Sequence, residues 1–201
     1  MQVQLPPHYL TVSRRLIRFA AVWFVLGTVM GIVSTQYQSK LKFTREAHGA
    51  PHADTDAKGR EITRLPPGYN WEVGFDLRIS HGHFIVIGAV IPLCVAATLL
   101  LLHACGGKPI GAGLLHTAFW LYVVGCLSAL VLIFYKGWYV VTSVQGGEYD
   151  LATIGETMFA GSRAIRAMAH ALSHTILAAG MGVFAFAFWK SSEGLRAKPE
   201  A

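Results

Sequence analysis

Histidine is the residue type whose placement in this sequence most directly suggests chemistry. Of nine histidines, six lie in or at the ends of apolar stretches long enough to cross a membrane: His81, His83, His103, His116, His170 and His174. An ionisable side chain is costly inside a bilayer, so its presence there indicates a function. Neutral imidazole adds no buried charge and binds iron, copper and zinc. The pattern therefore predicts a metal or haem centre.

The spacing of the outer histidines favours a b-type haem with two imidazole ligands. His83 and His170 each lie twenty residues before the basic residue that ends their stretch, His103 and Lys190, so at ~1.5 Å per residue they reach similar depth. In an up-down bundle the second and fourth helices lie diagonally across the core, where such bundles bind cofactors. The predicted axial ligands are His83 and His174, with His81 and His170 as alternates.

Two cations are predicted to pair with the haem propionates. His170 and His174 are four residues apart and share a helix face with Arg166, which lies one turn earlier. Lys136 is predicted at the outer end of the third stretch, where it can meet the second propionate.

The helix that carries His81 and His83 is predicted to present one of them to the core. They lie ~200° apart on a helical wheel, so they point to opposite sides. Small and medium side chains follow His83 at helical spacing and are predicted to face the core, leaving room for a flat macrocycle. These residues are Ile87, Val90, Cys94 and Ala97.

Other interpretations use the same residues. The four outer histidines can supply four nitrogens to one copper or zinc ion, although the ~200° separation of His81 and His83 counts against this site. The chain can also be a non-catalytic structural or assembly subunit whose histidines contact a partner's cofactor. A quinone site beside Trp120 and Tyr122 is a further interpretation, set against ordinary packing of aromatic residues at helical spacing.

Membrane helices are the elements that must position these residues. The chain has 201 residues, 53% of them apolar and 14% charged, with a mean hydropathy of +0.45, which is outside the soluble average. Residues 84–102 carry no charge and match the ~20 residues of a membrane-spanning helix. Solid apolar runs exclude a soluble enzyme and a transmembrane β-barrel. The net charge of +6 comes from residues that flank these runs, which indicates loop topology and not nucleic-acid binding.

We predict an all-α fold, an integral membrane four-helix up-down bundle that forms one domain over residues 1–201. The predicted spans are residues 16–37, 79–103, 114–135 and 164–189, with outer loops at 38–78 and 136–163. Tyr69 to Trp71 are predicted in a surface loop, and Pro92 is predicted to kink the second span. Basic residues are denser on the side of the termini, which predicts cytoplasmic termini in a bacterial inner membrane.

The predicted spans contain no Asp or Glu. Proton-coupled transporters commonly keep a carboxylate at mid-membrane for the coupling ion. The sequence therefore favours a histidine-based cofactor site over proton-coupled transport.

The stretch His81-Gly-His83-Phe-Ile-Val-Ile-Gly88-Ala-Val resembles the His-x-His helix of haem-copper oxidase subunit I, in which the two histidines bind two haems from opposite faces. Most of the chain also resembles a family of small four-span bacterial membrane proteins with no assigned function. The shared features are His-x-His opening span two, Lys136-Gly137 after span three and His174 early in span four. The resemblance implies haem binding by His83 or His81 and by His174, and it implies no reaction.

These observations predict a membrane-embedded b-type haem protein that transfers electrons, alone or as a subunit of a respiratory or oxidoreductase complex. Two imidazoles leave the iron no open position, which favours electron transfer over oxygen chemistry. The predicted partners are the lipid bilayer, other membrane subunits and a quinone. Copper or zinc is the alternative cofactor.

Overall fold

The computed structural model describes residues 4–40, 53–55, 61–63, 69–148 and 150–195. The elements in chain order are α1 (Pro7–Lys40), β1 (Ala53–Thr55), β2 (Glu61–Thr63), α2 (Tyr69–His83), a π-helical segment (Phe84–Val90), α3 (Ile91–Ala104), α4 (Ala112–Gln145), α5 (Leu151–Thr157) and α6 (Arg163–Ser192). The two three-residue strands pair antiparallel, with Ala53 opposite Thr63.

Four helical stretches of the described chain are long and apolar enough to cross a membrane. They are Pro7–Thr35, Val73–Ala104, Ala112–Gln145 and Arg163–Ser192. The shortest has 29 residues, and at ~1.5 Å per residue it exceeds the ~30 Å of a bilayer's hydrocarbon core. The predicted all-α class with four membrane helices is confirmed. The up-down order and the single domain stay predictions.

Both predicted outer loops are shorter than expected because the helices run further. The second stretch begins at Val73 and the third continues to Gln145, so Lys136 lies inside a helix. Tyr69 to Trp71 are helical, which corrects the predicted surface loop. The second predicted loop contains α5, whose first turn is capped by Asp150 through its side chain at 3.0 Å from the Ala152 nitrogen. Residues 41–52, 56–60 and 64–68 of the first predicted loop lie outside the described residues.

The chain divides into two compact units. Unit 1 comprises Met1–Leu26, Phe84–Ala129 and Ala171–Ala201, and unit 2 comprises Gly27–His83 and Leu130–His170.

Glycines allow α4 and α6 to touch backbone to backbone in unit 1. A Cβ atom on Gly125 would lie 2.3 Å from the Leu177 nitrogen, and one on Gly180 would lie 2.4 Å from the Tyr122 nitrogen. Neither position has room for a side chain. Small residues are how membrane helices gain close van der Waals contact, since lipid offers no hydrophobic drive for association.

The π-helical segment and the Pro92 that follows it leave one backbone carbonyl in unit 1 without a helical N–H donor. In a π-helix the carbonyl of residue i pairs with the N–H of residue i+5, and for Ile87 that residue is Pro92, which has no N–H. The hydroxyl of Tyr122, which is fully buried on α4, donates a hydrogen bond to the Ile87 carbonyl. The Cys126 thiol lies 3.7 Å from the same oxygen. Side chains of α4 thus satisfy a carbonyl that Pro92 leaves without a helical donor.

We expect Tyr122→Phe to lower the free energy of unfolding by about 1–3 kcal/mol, because it leaves the Ile87 carbonyl with only the weak Cys126 thiol donor in an apolar environment. Tyr135→Phe is the matched control, since the Tyr135 hydroxyl makes no hydrogen bond within the described part of the chain. Thermal unfolding in detergent measures both. Restoring an N–H with Pro92→Ala should reduce the effect of Tyr122→Phe, and equal effects of Tyr122→Phe in both backgrounds would contradict this explanation.

The connection between α3 and α4 is attached to the end of α6 in unit 1. The backbone N–H of Lys108 donates a hydrogen bond to the Ser191 carbonyl at 2.9 Å, and the Ser191 hydroxyl donates one to the Lys108 carbonyl at 2.8 Å. The ammonium groups of Lys108 and Lys190 each lie 3.1 Å from a carboxylate oxygen of Glu193. These hydrogen bonds, that of Lys108 above all, hold the pKa of Glu193 below its usual range.

Unit 2 has its own apolar core where α2, α4 and α5 meet. The buried residues of this core are Val73, Leu77, Val141, Val144 and Ile154. Gly137 of α4 lies directly against α2, because a Cβ there would be 2.5 Å from the Leu77 nitrogen. This contact brings the C-terminal part of α4 against the helix that carries His81 and His83.

Candidate functional site

His81 and His83 end α2 in unit 2, and both rings are anchored through Nδ1. The Nδ1 atom of His83 lies 2.8 Å from the Ile79 carbonyl oxygen, and that of His81 hydrogen-bonds the Arg78 carbonyl. A carbonyl oxygen only accepts hydrogen bonds, so each Nδ1 carries the proton. In neutral imidazole, Nε2 is then left with its lone pair. This is the tautomer in which a histidine binds a metal through Nε2 while a carbonyl orients the ring.

The two rings differ in exposure. His83 is exposed, whereas His81 is half-buried with its ring beside Gly31 of α1. A Cβ on Gly31 would lie 3.6 Å from Cδ2 of His81, which is ordinary contact distance. This difference agrees with the ~200° separation predicted for residues two apart on a helix.

Three of the four side chains in the stripe that follows His83 do not face the protein core, so that part of the sequence prediction is wrong; the fourth, Ile87, is half-buried. Val90, Cys94 and Ala97 are exposed, whereas Gly88 and Pro92 are buried. The physical reason is the π-helical segment, which places more residues in each turn than an α-helix and shifts the later side chains around the axis. Gly88 faces α1, since a Cβ atom built at this position would lie 2.6 Å from the Cβ atom of Trp23.

The α6 histidines fall in different units. His170 belongs to unit 2, is half-buried and has its ring centroid 6.4 Å from that of Phe159 in an edge-on contact. His174 belongs to unit 1, is exposed and has Nδ1 3.2 Å from the hydroxyl oxygen of Ser173. Unit 2 therefore holds three of the four predicted ligand histidines. The pairing of His83 with His174 stays a prediction from sequence.

The two predicted propionate partners, Arg166 and Lys136, also lie in unit 2. Arg166 is half-buried and donates one hydrogen bond from Nη1 to the Gly155 carbonyl at 3.0 Å. This bond fixes the guanidinium close to α5. Lys136 instead has an acidic partner, because its ammonium nitrogen lies 3.4 Å from Oδ2 of Asp76.

Asp76 was missed at the sequence level, because the second apolar helix begins before the predicted start of the span at residue 79. Asp76 lies inside the stretch Val73–Ala104. The side chains of Asp76 and Lys136 are 21% and 28% exposed, and each oxygen of the carboxylate is within 3.5 Å of the ammonium. The helical spacing of Val73 and Leu77, both buried, is the sequence signal that would have extended the helix past Asp76.

The described residues contain no group of three or more His, Cys, Asp or Glu side chains that could hold a metal ion. The copper or zinc interpretation requires such a group, and it stays a prediction without structural support. Binding of a haem iron requires only two imidazoles, one on each side of the ring.

The aromatic pair named for a quinone site separates in the structure. Tyr122 is fully buried and hydrogen-bonded to Ile87, whereas Trp120 is 55% exposed on another face of α4. The two side chains do not form one surface. The quinone interpretation stays a prediction.

The fold and these residues define a class: a multi-pass α-helical membrane protein with histidines in its apolar helices. Comparison with protein-family models, with curated proteins and with solved structures finds no match for this chain. The two resemblances named from sequence therefore stay predictions.

Proposed function

We propose that this chain is a b-type haem protein of a bacterial cytoplasmic membrane, with both termini in the cytoplasm, and that it transfers electrons. One axial ligand comes from the end of α2 and the other from α6. The protein acts alone or as a subunit of a larger respiratory or oxidoreductase complex.

The observation that carries this proposal is the anchoring of His83 and His81 through Nδ1. A hydrogen bond from Nδ1–H to a carbonyl orients the ring and makes Nε2 a better donor to iron. Neither Nε2 has a hydrogen-bond partner within the described residues. His83 is the preferred ligand because its ring is exposed, whereas His81 is half-buried beside Gly31.

The second ligand is a histidine of α6. His174 is the choice that the sequence spacing favours, and His170 is the alternative because it shares unit 2 with His81 and His83. Separate variants of the two residues decide between them.

The chain's own residues would orient the cofactor and balance its charge. Bound through two imidazoles, haem iron has no open position and supplies one-electron transfer. Neutral imidazoles add no charge to the apolar site. Arg166 uses one of its five N–H donors on the Gly155 carbonyl, and the others suit a propionate carboxylate.

The test is an optical spectrum of the detergent-purified full chain, produced with ample haem supply, oxidised and then reduced with dithionite, together with iron, copper and zinc analysis. We expect about one iron per chain and the sharp reduced bands of low-spin haem. His83→Ala should abolish the low-spin spectrum, and so should either His174→Ala or His170→Ala.

The matched control is His116→Ala, which removes a half-buried histidine of α4 that is not a proposed ligand and should keep the spectrum. Size-exclusion chromatography of each variant separates loss of ligand from loss of fold. A wild-type protein that binds no haem overturns the proposal. The proposal is also overturned if low-spin haem is retained in both double variants, His81→Ala/His83→Ala and His170→Ala/His174→Ala.

A further inference from the structure

An apolar groove on the surface of unit 1 ends in two arginines. The groove lies between α1 and α4 and has a volume of about 560 Å³. Its apolar walls include Phe19, Val22 and Trp23 of α1 and Phe119, Trp120 and Val123 of α4. Val22 and Trp120 are more than half exposed, so the groove opens to the surroundings of the helix pair.

Arg15 and Arg18 are the polar groups of this groove. Both side chains are exposed, and neither has an ion-pair partner among the residues that the structure describes. The guanidinium carbon of Arg15 lies 5.8 Å from the ring centroid of Phe119, a cation–π contact that holds the charge at the groove. Two cations that lack a carboxylate partner in the described part of the chain indicate an anionic occupant.

The charges are at one end of the groove and the apolar walls extend from them. Arg15 lies beside Phe119, and one turn further along both helices the ring of Phe19 lies 6.4 Å from that of Tyr122. From Arg15 to Trp23 is eight residues, or ~12 Å along the helix. This length is close to half of the ~30 Å hydrocarbon core, which is the depth of one lipid leaflet.

We propose that this groove binds one anionic phospholipid, with its phosphate at Arg15 and Arg18 and an acyl chain along the aromatic walls. Paired guanidinium groups bind phosphate oxygens well, and an acyl chain would cover apolar surface that the described side chains leave exposed. The net positive charge of the site favours a lipid of net negative charge over a zwitterionic one.

The test is native mass spectrometry of the detergent-purified full chain titrated with phosphatidylglycerol or phosphatidylcholine. We expect one phosphatidylglycerol to remain bound per chain and phosphatidylcholine to bind at least tenfold more weakly. Arg15→Gln and Arg18→Gln should each weaken phosphatidylglycerol binding about fivefold. Arg14→Gln is the charge-matched control, because Arg14 is exposed outside the groove and its loss should change binding less than twofold.

A second variant tests the apolar part of the site. Trp120→Ala should weaken phosphatidylglycerol binding without altering charge, whereas Trp189→Ala, which removes a tryptophan that is 71% exposed on α6, should not. Equal binding of the two lipids by wild-type protein overturns the proposal, and so does equal binding by the Arg15, Arg18 and Arg14 variants. Displacement of the bound lipid by a short-chain ubiquinone at equal concentration assigns the groove to a quinone and also overturns it.

Discussion

Gly125→Ala and Gly180→Ala are each expected to destabilise the protein by about 1–3 kcal/mol, although each adds only one methyl group. The added Cβ would lie 2.3 Å from the Leu177 nitrogen in the first variant and 2.4 Å from the Tyr122 nitrogen in the second. These neighbours are backbone atoms, which cannot rotate away as a side chain can. The helices must therefore separate, and the contact that holds α4 against α6 in unit 1 is lost.

The control for this prediction is Gly182→Ala on α6, where a Cβ meets no atom of the described residues within 4 Å. Alanine is a better helix former than glycine by ~1 kcal/mol, so this variant should be neutral or more stable than wild type. Thermal unfolding in detergent, with size-exclusion chromatography, measures the three variants. If Gly180→Ala and Gly182→Ala have the same unfolding temperature, the close contact of α4 and α6 is incorrect.

Asp76→Ala and Lys136→Ala are expected to have comparably large effects. Each leaves one charge without its partner, in a pair whose two side chains are less than 30% exposed. A charge in the middle of a membrane helix costs ~2.5–3.5 kcal/mol, and less near the interface, so we expect about 2 kcal/mol for each variant.

A double variant separates the ion pair from general packing. Asp76→Ala/Lys136→Ala should cost clearly less than the sum of the two single variants, because no unpaired charge remains. Lys190→Ala is the control from an exposed pair with Glu193, where the side chains are 59% and 38% exposed, and it should cost less than ~1 kcal/mol. Additive single effects at Asp76 and Lys136 would show that the two charges do not interact.

Several features of the candidate site could be predicted from the amino-acid order alone. His81 and His83 differ in exposure because residues two apart on a helix point to different sides, whatever the helix packs against. The same local geometry lets each ring hydrogen-bond a carbonyl three or four residues earlier in its own helix. Local geometry of this kind does not depend on tertiary contacts.

Other features could not be predicted, because they depend on a partner far away in the chain. Asp76 was placed in the first outer loop because the predicted second span began at residue 79, but Asp76 is helical and pairs with Lys136, sixty positions later. Val90, Cys94 and Ala97 were placed on the wrong face because the helical spacing used for the prediction assumes regular α-helical turns. Pro92 signals a kink in the sequence but does not reveal a π-helical segment of seven residues.

The sequence by itself determined that this is an all-α membrane protein with four long apolar helices, because the length of an apolar run and the bilayer thickness decide this without any tertiary contact. Only the tertiary structure decided which glycines allow helix backbones to touch, which charges are paired, and that the Tyr122 hydroxyl donates a hydrogen bond to the Ile87 carbonyl. The physical reason is that these are contacts between residues distant in sequence, and their partners are chosen by packing.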